Sequence, residues 1–189
     1  MINNITSTNN NISFSNMKTI TFLILTALAL PLAARAADST AKISGVHLCC
    51  KGCVTGAETA VSKVSDVKAE VDQEEGTVTL SGPDAAAVQK AATALVAAGY
   101  FGKSSDEGIK LDYPSGASGA KVSSLKVEGT HLCCAKCVKA VDKAVESVSG
   151  AKAHTATKGA KTFEVTGDFN DKDLISALQK EGLAAKVAK

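Results

Sequence analysis

The chain has 189 residues, 21 of them basic and 19 acidic, with six cysteines and no tryptophan. Arginine supplies most bidentate contacts to phosphate and guanine, and Arg35 is the sole arginine here, so the composition argues against nucleic acid as a partner. Many small residues and few aromatic ones fit plain domains with modest cores, and no stretch beyond residue 36 is long and apolar enough to span a bilayer.

Residues 1–16 are rich in Asn, Ser and Thr. Met17 and Lys18 open a charged region, residues 20–32 are apolar, and Ala34-Arg35-Ala36 offers small residues for cleavage. This is the order of a secretory signal, and its apolar run is short for a membrane anchor. The expected protein is therefore exported, periplasmic or secreted, cleaved near Ala36, with Met17 as an alternative start and no membrane insertion of the mature chain. Cleavage would remove Lys18 and Arg35 and leave 19 basic against 19 acidic residues.

The rest reads as one unit written twice, at 37–112 and 122–189. In the first, 41–45 is a short strand. Val54, Ala57, Val61 and Val64 then recur at helical spacing. Val67, Ala69 and Val71 alternate with charged residues as in a half-buried strand, Gln73 to Gly76 turn the chain, and Val78 and Leu80 mark its return. Pro83 and Asp84 open a second helix carrying Val88, Ala91, Leu95 and Ala98. Gly99 ends it, and 100–104 supply an edge strand. The second copy has Val138, Val141, Val145 and Val148 on its first helix, a strand with Phe163 and Val165, and a helix capped by Asn170 and stopped by Gly182. Each order is strand, helix, strand, strand, helix, strand: an α+β unit in which two helices cover one face of a four-stranded antiparallel sheet. Residues 113–121 (YPSGASGAK) read as a flexible linker that leaves the units loosely coupled.

All six cysteines lie in two matching stretches, HLCCKGC from His47 and HLCCAKC from His131. Disulfide staples should be spread along the chain to close loops, so this crowding argues against a disulfide framework; a Cys50–Cys53 disulfide stays open as a redox alternative. Each cluster falls where the first strand passes into the first helix. There, free N–H groups and the helix dipole should lower thiol pKa values. Lys51 and Lys136 sit beside the clusters, either neutralising thiolates or facing solvent. Clustered thiolates select Cu(I), Zn(II), Cd(II) or Hg(II). Cys50 with Cys53 and Cys134 with Cys137 form the paired ligands. Cys49 and Cys133 are left open as third ligands or bystanders, and His47 and His131 as ligands, supports or neither. His154 has no counterpart in the first copy and reads as a surface residue.

The arrangement resembles the heavy-metal-associated domain family over residues 41–105 and 122–188. That family's Met-x-Cys-x-x-Cys loop is matched by Cys50 and Cys53, then by Cys134 and Cys137, with Leu48 and Leu132 in the methionine's place. Gly99-Tyr100 also looks like the family. The resemblance implies two tandem ferredoxin-like βαββαβ sandwiches, soft-metal cargo and a metal donor or acceptor protein as partner. The departures are the additional Cys49, Cys133, His47 and His131.

Three functions follow as expectations. The first is an exported soft-metal binder or carrier holding about one ion per unit, Cu(I) before Zn(II) unless the histidines complete Cys3His sites. The second is a thiol–disulfide protein. The third is a structural or interaction module with metal-stabilised domains. No hydrolytic constellation or phosphate-cradling loop recurs in the repeat, so catalysis is not expected.

Overall fold

The computed structural model describes residues 38–189; the extension and signal-like segment at 1–36 lie outside the described residues. The first repeat runs β1 (Ser39–Ser44), α1 (Lys51–Val61), β2 (Lys68–Asp72), β3 (Thr77–Gly82), α2 (Ala85–Ala97) and β4 (Lys103–Ser104). The second runs β5 (Lys121–Glu128), α3 (Ala135–Glu146), β6 (Ala151–His154), β7 (Thr162–Asn170), α4 (Asp171–Lys180) and β8 (Lys186–Val187). The sheet orders β2-β3-β1-β4 and β6-β7-β5-β8, antiparallel throughout, make two ferredoxin-like α+β units. Among the described residues no helix is long and apolar enough to cross a membrane.

Alternation sets which face of each sheet is buried. In β1, Ala41 and Ile43 are buried while Lys42 and Ser44 are exposed. The β1–β3 register sets Ala41 against Leu80 and Ile43 against Val78, and the β5–β7 register sets Leu125 against Val165 and Val127 against Phe163. Asp84 caps α2 by accepting from the Ala87 N–H at 2.7 Å, and Asn170 caps α4 through the N–H groups of Lys172 and Asp173.

The buried stripe of the first helix in each repeat differs from the expected one. It is Cys53, Ala57, Ala60 and Val61 in α1, and Cys137, Ala140, Val141, Ala144 and Val145 in α3; Val54, Val64 and Val138 are only half-buried. The cysteines at the third helical position, ligand candidates by their spacing, also anchor each helix in the core.

Segment 113–121 is bonded to the second repeat along its length. The Tyr113 hydroxyl bonds the Ala185 backbone, Val187 N–H donates to Ser115 O at 2.7 Å, and the Asp171 carboxylate accepts from Ser118 N–H, Ser118 hydroxyl and Gly119 N–H. A composition read as flexible thus presents polar groups that β8 and the start of α4 satisfy.

The repeats also pair with each other. Tyr100 and Leu183 form an antiparallel bridge, flanked by Phe101 N–H to Gly182 O (3.1 Å) and Ala184 N–H to Gly99 O (3.0 Å). This cross-repeat bridge occupies the start of the edge strand expected at 100–104, which shortens to Lys103–Ser104. His131 N–H donates to Gly99 O and His47 N–H to Gly182 O, so each histidine lies on the helix-ending glycine of the other repeat. Both glycines have positive φ, +97° and +76°, and a Cβ on either would strike the facing histidine's backbone.

Candidate metal centre

This reciprocal docking brings the N-termini of α1 and α3 together, and with them all six sulfurs. Cys50 and Cys134 occupy the N-cap positions in extended backbone, with no side-chain cap bond, and Cys53 and Cys137 point from the first turns into the core with no exposed surface. Within the first loop, Cys53 Sγ is 3.6 Å from Cys49 and 3.7 Å from Cys50; within the second, Cys137 is 3.8 Å from both Cys133 and Cys134. Across the repeats, Cys49 is 3.4 Å from Cys134 and 3.7 Å from Cys137. Cys133 is 3.6 Å from Cys50 and 3.4 Å from Cys53, and Cys53 is 3.9 Å from Cys137. The pattern is reciprocal, and no disulfide is formed among these residues.

Cys49 and Cys133, left open from sequence, thus point into the cluster and make its shortest cross-repeat contacts. The histidines part ways. The His47 ring comes within 4.8 Å of the Cys49 and Cys137 sulfurs, and its Nε2 is buried with no hydrogen-bond partner. His131 Nε2 instead lies 3.1 Å from the Tyr100 hydroxyl, with the two rings stacked at 4.6 Å, and that hydroxyl donates to Cys53 O at 2.8 Å. Lys51 and Lys136 are exposed, and Lys136 Nζ approaches Cys49 O at 3.5 Å. His154 is not the surface residue its position implied: it is mostly buried, bonded to Asp142 at 2.7 Å and accepting from Ala156 N–H.

Thiol acidity is divided within the cluster, where lowered values were expected throughout. Cys50 falls to about 7, chiefly through the Cys53 backbone N–H at the helix start. Cys137 is strongly lowered, first because the Cys53 thiol donates to it, and Cys53 is correspondingly raised. Burial pushes Cys49 up and Cys133 up to about 12. Six thiols this close cannot ionise independently, since each thiolate opposes the next. Burial likewise raises the Tyr100 hydroxyl and keeps His131 toward its neutral form.

Sulfur donors at these separations, free thiols and an orphaned buried imidazole nitrogen are a donor set suited to soft metal ions. The sequence pointed to the donors. It carried no signal for Tyr100 as the partner of His131, because that pairing crosses between the repeats.

No family model matches the chain, and no curated protein matches it. Among solved structures it is similar to the N-terminal soluble domains of Bacillus subtilis CopA, at 18% identity over 81% of this chain and 95% of that one, with a TM-score of 0.30.

Proposed function

We propose that the protein binds soft metal ions, Cu(I) foremost, through Cys49, Cys50, Cys53, Cys133, Cys134 and Cys137, and acts as an exported binder or carrier rather than an enzyme. The observation that carries this reading is the convergence of six free sulfurs, with contacts of 3.4–3.9 Å, at two helix N-termini. Thiolates favour Cu(I), and the helix ends stabilise the negative charge a thiolate site retains. The Met17–Ala36 pattern supports export. The heavy-metal-associated resemblance supports handing the ion to a partner protein. Zn(II) is the runner-up, with His47 as its nitrogen donor.

Anaerobic titration of the reduced chain with Cu(I) and Zn(II), read by X-ray absorption, tests the reading. Sulfur-only copper coordination is expected; no uptake of either ion removes the assignment. A thiol–disulfide role is the second reading, favoured by the lowered Cys50 thiol. It requires turnover of a protein disulfide that Cys50→Ser abolishes.

A further inference from the structure

Joining the sulfurs in contact draws four triangles: Cys49–Cys134–Cys137, Cys49–Cys53–Cys137, Cys53–Cys133–Cys137 and Cys50–Cys53–Cys133. Every one takes sulfurs from both repeats. A metal–thiolate bond of about 2.3 Å sets sulfurs about 4.0 Å apart in a planar trigonal site, and the triangle edges run from 3.4 to 3.9 Å. Each triangle therefore has nearly the size of one trigonal soft-metal site. The buried Cys53 and Cys137 belong to three triangles each, the position of bridging thiolates, while Cys50 and Cys134 close the two ends.

We infer that the chain holds one shared site and not one per repeat: a Cu(I)–thiolate cluster of about four ions on six cysteines, one ion in each cross-repeat triangle. This rests on the soft-metal reading above. Charge supports a monovalent ion. Six thiolates with about four Cu(I) keep a net charge of about −2, which suits two converging helix N-termini; as many divalent ions would leave an excess positive charge there. Loading releases to solvent the proton of every cysteine that is still a thiol, forms copper–sulfur bonds on all six sulfurs as thiolates, and transfers no electron. His47, with its buried unpartnered Nε2, borders the cluster beside Cys49 and Cys137.

The experiment is anaerobic Cu(I) titration of the reduced full-length chain, followed by native mass spectrometry and X-ray absorption. Saturation at about four ions per chain with short copper–copper scattering is expected. Cys133→Ser breaks two triangles and should cut the capacity to about two, although both C-x-x-C pairs remain. Saturation of the wild-type chain at about two ions without copper–copper scattering, each lost only with its own C-x-x-C pair, overturns the shared cluster and leaves soft-metal binding standing. No copper uptake overturns both. The scattering measurement needs no variant, so a folding defect in Cys133→Ser does not blunt the test.

Discussion

A tyrosine at 100 and a leucine at 183 hold matching places in the two repeats, and this difference separates the two histidines. His131 meets the Tyr100 hydroxyl, while His47, set on Gly182 beside Leu183, keeps a buried Nε2 with no partner. Tyr100→Phe should cost about 1–3 kcal/mol, because the buried Cys53 carbonyl loses a donor and His131 loses its partner. Urea unfolding of the metal-free protein measures this, and an unchanged midpoint would show that water replaces both bonds. The serial pattern HLCC was legible as a donor set from its residue types. Which histidine is free was not, since each ring's environment is made by the other repeat.

At the cysteine N-caps of α1 and α3 the proposed ligand role would be set against helix stability. Neither Cys50 nor Cys134 makes a side-chain cap bond, and serine is among the best N-cap residues. Cys50→Ser should therefore leave the reduced, metal-free fold as stable or stabilise it by about 0.5–1 kcal/mol, while lowering metal capacity. Chemical denaturation alongside a Cu(I) titration checks both halves, and a destabilised metal-free protein would count against this account. At α4, burial opposes ionisation of Asp171, but the Ser118 and Gly119 N–H groups and the Ser118 hydroxyl prevail and hold its carboxyl below the usual range. A depressed folded pKa gives stability that is complete above the unfolded value of about 3.9 and is lost as pH falls through the folded one. Stability measured from pH 5 downward should decline below about pH 4, and less steeply in Asp171→Asn.

In the proposed cluster the two repeats would act as one metal-binding body, because both motifs supply its sulfurs. An ion bound only by the folded state should stabilise it by about 2.7 kcal/mol at a free concentration a hundredfold above Kd. Thermal melts of the reduced chain with and without Cu(I) should show this rise. Since every sulfur triangle spans both repeats, replacing Cys53 or Cys137 should abolish most of it for the whole chain. A melt that splits into one metal-stabilised and one unaffected transition would show that the repeats bind separately.

Local pattern alone determined the element order, the α+β class and the thiol-rich motif. Alternation in β1 and β3, helical spacing in α2, the Asp84 and Asn170 caps and the stops at Gly99 and Gly182 all depend on neighbours close in sequence. Tertiary structure decided that the motifs share one centre, that Cys49 and Cys133 turn inward, and that 113–121 lies bonded along the second repeat. Those outcomes depend on contacts between residues far apart in the chain, from Ser118 with Asp171, 53 positions apart, to Cys49 with Cys134, 85 positions apart. A period of two or 3.6 residues assigns a side chain to a face of its own element, but carries no information about which distant element covers that face.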